Sequence, residues 1–261
     1  MLTRHLDPRI VPLEVWDLVA DGVPLYRADR GAGFGALLGR AVESLIDGAA
    51  VSVSGTVFPA LCRAIERVVL VGGAAHEVVW TSSRVPARLA EDAEHCAESG
   101  GRAILAGLRP GVGATGLVVD LGQSLLKVSG ARRRVYPRDL ARIPVSQRPV
   151  EGLGRAALVA FVADALREAA ADGEPGAIVL ALPCELSPEG ALGTCSYPWR
   201  AGDTIVPEIL TAAGLAAVPT VLINDAELAA VGVAERGPIT APTLVLTVGF
   251  GIGGALLRSA L

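Results

Sequence analysis

Lysine is nearly missing from this chain. Of its 23 lysine and arginine residues only Lys127 is a lysine, so one compact ammonium stands among guanidinium groups. Cysteine is also sparse. Cys62, Cys96, Cys184 and Cys195 form no CxxC pair and have no histidine-rich spacing beside them, which excludes a zinc cluster or a disulfide framework. They read as reduced, mostly buried thiols of a cytoplasmic protein. No segment offers 18 uncharged apolar residues with membrane flanks, so no membrane span is expected. The first residues, with Arg4, His5, Asp7 and Arg9, lack the layout of a signal peptide. A net charge of −4, with Arg132-Arg133-Arg134 as the basic run, argues against a nucleic-acid surface.

Two further absences concern nucleotides. No GxxxxGK[ST] loop occurs, which excludes a P-loop. Two glycine patterns imitate a dinucleotide fingerprint, and both fail on context. Gly111, Gly113 and Gly116 come before a strand pattern instead of after it. Gly249, Gly251 and Gly254 follow one, but 7 residues remain after Gly254, too few for a crossover helix.

What is present is apolar and strand-rich. With 261 residues and 51% hydrophobic content, the chain can bury the core of one large or two modest domains. The patterning predicts strands at 117–121, 124–129 and 132–136, a meander turning at Gly122 and at Ser129-Gly130. A helix at 152–171, an apolar strand Ala177–Leu182, a helix at 203–214 and a strand Thr220–Ile223 follow. Helix Ala226–Glu235, capped by Asn224 or Asp225, precedes strand Thr243–Val248, a glycine turn and an apolar tail. Before residue 107 the pattern predicts helices at 32–46 and 56–66, strand Arg67–Val71, and a helix over 87–107 broken at Gly100-Gly101. Antiparallel strands followed by alternating helices and strands imply an α/β fold with a mixed sheet.

Four pieces carry chemistry. A β-branched run delivers Asp120 to the turn Gly122-Gln123-Ser124, and Lys127 follows on the returning strand. Such a turn offers phosphate oxygens amides, a hydroxyl and an ammonium, while Asp120 can hold a metal ion. A buried strand ends in Asn224-Asp225 at a helix start, the edge where ligand chemistry gathers in open α/β sheets. Glycines 249–254 and Gly72-Gly73 leave bare backbone after a strand, where amides can approach an anion. Ordinary turns and caps would look the same at each place taken singly.

Together these pieces resemble a family. Asp120-x-Gly122-x-Ser124-x-x-Lys127, Asn224-Asp225-Ala226 and the Gly249–Gly254 turn resemble the phosphate-1, connecting and phosphate-2 motifs of the sugar kinase–Hsp70–actin superfamily. Within it the chain is most similar to the ROK sugar kinases and sugar-responsive repressors. Ala181-Leu-Pro183, Pro188-Glu-Gly190 and Tyr197-Pro-Trp199 resemble that family's strand end, turn and sugar-facing loop, and Val71-Gly72-Gly73 its adenosine glycines. The order differs: Gly72-Gly73 come first and the chain stops after phosphate-2. Joining Leu261 to Met1 restores the usual order, which brings Val11-Pro-Leu-Glu14 after phosphate-2, where family members carry a sugar-binding Glu.

The resemblance implies a two-lobed actin-like ATPase (ribonuclease H-like) fold with circularly permuted motif order. Residues 1–108 would form part of the nucleotide-side lobe, 109–236 the phosphate-1 and sugar lobe, and 237–261 a strand-turn-strand completing the first. It implies ATP and Mg²⁺ as cofactors and a hexose or amino sugar as substrate. Asp225 would be the general base, and Asp120 would position Mg²⁺ directly or through water. Gly122, Gln123, Ser124, Lys127, Gly249, Gly251, Gly253 and Gly254 would hold phosphates, Gly72 and Gly73 the adenosine, and Asn224 and Glu14 the sugar hydroxyls. The resemblance implies a homodimer as well, while the acidic balance and the absence of a long apolar segment argue against nucleic-acid and membrane partners. The chain departs from the family where Val248 or Phe250 replaces a threonine, where Leu13-Glu14-Val15-Trp16-Asp17 lacks a histidine, and where Cys184 replaces a glycine. A non-catalytic sugar or nucleotide sensor on the same fold is the alternative.

Overall fold

The computed structural model describes residues 2–13, 19–20, 23–24, 33–47, 62–108, 115–144, 154–193, 197, 199–249 and 251–259. Glu14 through Asp17, Gly111, Gly113, Cys195, Phe250 and positions 56–61 of the expected helix 56–66 lie outside the described residues. The chain is mixed α/β and divides into two compact units. Unit 1 comprises Met1–Leu6 with Glu98–Leu228, and unit 2 comprises Asp7–Ala97 with Ala229–Leu261.

The sheet of unit 1 grows from the expected meander. Strands β7 (Thr115–Leu121), β8 (Leu125–Ser129) and β9 (Arg133–Pro137) pair antiparallel in sequence. Then β10 (Pro175–Leu182) joins β7 parallel, β11 (Thr220–Asn224) joins β10 parallel, and β1 (Leu2–Arg4) joins β11 parallel. The order is β1-β11-β10-β7-β8-β9. Alternation aims Leu117, Val119, Leu121, Ile178, Leu180 and Leu222 at one face, all essentially without exposed area. Helices α3 (Arg155–Ala170) and α4 (Ile205–Ala212) cover that face with Leu158, Val162, Leu166, Val206 and Ile209. In the Arg132–Arg134 run, Arg134 binds Glu168 at 3.0 Å and Asp172 at 2.7 Å, in and just beyond the last turn of α3.

Helix α2 (Cys96–Leu108) corrects the expected helix over 87–107 in two ways. Its first residues instead form β6 (Ala87–Leu89), and the helix runs unbroken through Gly100-Gly101. The glycine serves packing: a Cβ on Gly101 would come within 2.3 Å of Val118 Cγ1, so a bare residue lets α2 approach the second face of the sheet.

In unit 2, β12 (Thr243–Val248) and β13 (Ile252–Leu257) form a hairpin, so the expected apolar tail is a strand. Strand β2 (Ile10–Leu13) pairs antiparallel with β13, β5 (Arg67–Val71) parallel with β12, and β6 parallel with β5. Two short strands, β3 (Val19–Ala20) and β4 (Val23–Pro24), pair apart from it. Helix α1 (Phe34–Asp47) buries Phe34, Leu38, Val42 and Leu45 against Val68, Leu70, Leu244 and Leu246. The order β2-β13-β12-β5-β6 matches β9-β8-β7-β10-β11 of unit 1 in both neighbours and directions.

Candidate active site

Three parallel strands of unit 1 end together. Asp120 lies on β7 opposite Ala181 of β10, and Leu182 lies opposite Asn224 of β11. Helix α5 (Asp225–Ala234) begins at the next residue. Adjacent strand ends therefore bring Asp120 and Asp225 to one edge although 105 positions separate them.

Asp120 faces Lys127 across the β7–β8 hairpin, with Nζ 3.2 Å from Oδ2 and both side chains partly shielded. The turn between them is held from beneath. Gly122 N–H donates to Leu125 O at 3.0 Å, and Tyr197 Oη donates to Gly122 O at 2.5 Å. Arg138 donates Nη1–H to Gln123 O at 2.9 Å and its own amide to Ser124 O at 2.8 Å. Three successive turn carbonyls are thus drawn inward. Arg138 is buried, donates further to Ile143 O and Pro144 O, and lies 3.7 Å over the Tyr197 ring, which stacks on Trp199.

The helix start is equally fixed. Asn224 Oδ1 accepts from the amides of Ala226 at 2.9 Å and Glu227 at 3.3 Å, while Glu227 Oε2 accepts from the Asn224 amide at 3.2 Å. This is a reciprocal capping box. Asn224 Nδ2 donates to Cys184 O at 3.0 Å, tying the end of β10 to the cap. Behind it, Arg4 of β1 forms a buried ion pair with Glu227. Asp225 itself accepts the Ala226 amide at 2.8 Å. Burial pushes its carboxyl up to about 7, and the Asp120 charge pushes the same way. The Ala226 and Asp225 amides and Lys127 pull against them. A carboxyl that titrates near neutrality at a strand edge can take a proton from a hydroxyl.

Unit 2 carries the glycine turns. Gly72, at φ +101°, follows β5, and a Cβ there would stand 2.5 Å from Val248 O. Ala74 N–H donates to that same oxygen at 3.0 Å. Gly72-Gly73 and Gly249 therefore lie side by side at the ends of β5 and β12, although 176 positions separate Gly72 from Val248. Nothing stands within 4 Å of where a Cβ would sit on Gly73 or Gly249, so their backbone borders open space. Gly251 lies in the hairpin loop, with its carbonyl accepting from Gly249 N–H, whereas Gly253 and Gly254 lie inside β13 opposite Thr247 and Leu246. Val248 is buried in the core; the half-buried Thr247 is the hydroxyl beside it.

Sequence reasoning missed Arg4, Arg138 and Thr247. Arg4 sits in a three-residue strand and its partner lies 223 positions away, beyond any local pattern. Among the described residues, no group of three or more His, Cys, Asp or Glu could hold a metal ion, and no helix is long and apolar enough to cross a membrane.

No protein-family model and no curated protein matches the chain. Among solved structures it is similar to a ROK family protein from Streptococcus pneumoniae TIGR4, in complex with sucrose, at 18% identity and a TM-score of 0.36. The match covers 56% of this chain and 46% of that one, and its score is too low to carry an argument about function.

Proposed function

We propose that the chain is an ATP-dependent kinase of a hydroxyl on a hexose or amino sugar, on a circularly permuted ROK-like fold. The observation that carries this reading is Asp225. It is a carboxyl raised to about 7, fixed at a capped helix start, beside an Asp120 paired with the one lysine of the chain.

The residues suit ATP and Mg²⁺. Asp120 is a single shielded carboxylate outside any cluster of protein ligands, the donor set for a cation that keeps water and phosphate oxygens around it. Gly73 and Gly249 present backbone to open space. Mg-ATP, when bound, supplies the phosphoryl group and a cation to neutralise its oxygens. The chain does the rest. Asp225 would accept the proton of the sugar hydroxyl whose oxygen takes up the γ-phosphoryl group, with the bond from the γ-phosphorus to the ADP oxygen breaking and ADP leaving. Asp120 would hold the cation. Lys127 and the turn of Gly122, Gln123 and Ser124 would neutralise and orient phosphate oxygens. Gly72 and Gly73 would lie against adenosine. Asn224 would meet one sugar hydroxyl, and Glu14 would meet another.

Permutation has its own support. Counted from β12, the strands of unit 2 run first, second, third, fourth and fifth as β12, β13, β2, β5 and β6, the cycle that unit 1 follows in plain order. The third strand comes near the start of the chain and the first two at its end. Leu257 pairs with Ile10, and Arg258 N–H donates to Arg9 O at 2.9 Å, so β13 and β2 lie side by side as the arms of a hairpin would.

A thermal-shift titration with Mg-ATP, alone and with a panel of hexoses and N-acetylhexosamines, tests the reading. Stabilisation by Mg-ATP together with one sugar is expected. Sugar binding without any response to nucleotide would favour a sensor, and no response to either would overturn both.

A further inference from the structure

A second charged feature lies at the opposite end of the unit 2 strands. A recess of about 150 Å³ opens where β5 and β12 begin, lined by Arg67, Arg88, Arg236, Glu91 and Thr243. Arg88 of β6 stands opposite Val69, and Arg67 lies two residues before Val69 on β5. Strand alternation therefore puts both guanidinium groups on the same face as diagonal neighbours, an arrangement that costs free energy for like charges. Arg236 approaches from beyond the end of α5 and meets Asp92 only at 4.0 Å.

Two of these three cations are not spent on the fold. Among the described residues neither Arg67 nor Arg88 has a hydrogen-bond or ion-pair partner. Both Arg88 and Arg236 act on the buried Cys96 thiol, working against the rise that burial imposes, so their charges converge on one neighbourhood. The Thr243 hydroxyl donates to Ala241 O and adds no free donor. The three guanidinium groups outnumber Glu91 and the Asp92 carboxylate beside Arg236, which leaves the recess net positive. That excess, with planar forked donors, matches a phosphate group.

We propose that this recess binds the phosphate group of a small phosphorylated metabolite. It is separate from the glycine turns, because β12 begins at the recess and ends at Gly249, roughly 17–20 Å away by strand rise. The concave, single-anion size selects a soluble ester over an extended polyanion. Binding would relieve the repulsion between Arg67 and Arg88 and stabilise unit 2.

The test is calorimetric titration of inorganic phosphate into the full chain, with chloride holding ionic strength constant, alongside backbone-amide NMR. Saturable binding is expected, with shifts concentrated at Arg88, Glu91 and Arg236. Arg67→Gln and Arg88→Gln should each weaken it about tenfold. Both side chains are exposed, so melting of the variants in chloride at or above that of the wild type would verify that the fold survives. A hexose 6-phosphate should bind at least as tightly as phosphate. Absence of saturable binding, binding that persists in the triple variant R67Q/R88Q/R236Q, or exclusion of the ester would each overturn the proposal.

Discussion

Asp225 concentrates the chemistry in one carboxyl. Its proton stays on up to about 7 in the folded protein, against roughly 3.9 in an unfolded chain. Between those values the folded state binds more protons, so stability is lost as pH rises through that window and the deficit is complete above it. Asp225→Asn, uncharged throughout, should be more stable than the wild type at pH 8 by about 1–3 kcal/mol. The gain should shrink towards pH 4, as melting curves across pH would reveal. The same substitution should lower turnover at least ~100-fold by removing the base. In the wild type kcat/KM should rise with pH through a limb near 7, where Asp225 loses its proton. Arg138 acts differently, because it touches the carbonyls of the Gly122–Ser124 turn. Arg138→Lys keeps a charge but not the planar fork, and should weaken Mg-ATP binding about tenfold by titration.

Element by element, the features that sequence revealed were those with local signals. Apolar runs bounded by Gly and Pro gave β5, β7, β10, β11 and β12 to within two residues, and Asn224-Asp225 marked the start of α5. What stayed hidden was non-local. Gly100-Gly101 looks like a helix break, yet Gly101 is bare because Val118 needs the space. Ala87–Leu89 is a strand because β5 lies alongside it, which nothing in those three residues announces. The capping box at Asn224 and Glu227 depends on β1, whose Arg4 is buried against Glu227. Removing one partner of a buried ion pair leaves the other uncompensated, so Arg4→Ala should cost about 3 kcal/mol in denaturant unfolding. It should also impair the Asp225 site. Gly72→Ala must place a side chain at φ +101° against Val248 O, and should destabilise by about 2 kcal/mol or more in the same measurement.

At the scale of the whole molecule, two sheets repeat one strand cycle, and only unit 2 breaks it across the chain termini. The strand order of unit 2 was not legible in the sequence, because the pairing of Leu257 with Ile10 exists only in three dimensions. A chain with Leu261 joined to Met1 through a flexible Gly/Ser linker and new ends opened between 108 and 115 should fold with unchanged circular dichroism. Its melting temperature should be close to that of the native order. Failure to fold would contradict the permutation.

The most direct test of the account is sugar-dependent release of ADP from Mg-ATP, measured across hexoses and amino sugars for the wild type and Asp225→Asn. The account predicts that one sugar stimulates release and that the variant loses that stimulation while still binding the sugar. Release that no sugar stimulates, or stimulation that survives in Asp225→Asn, would contradict it.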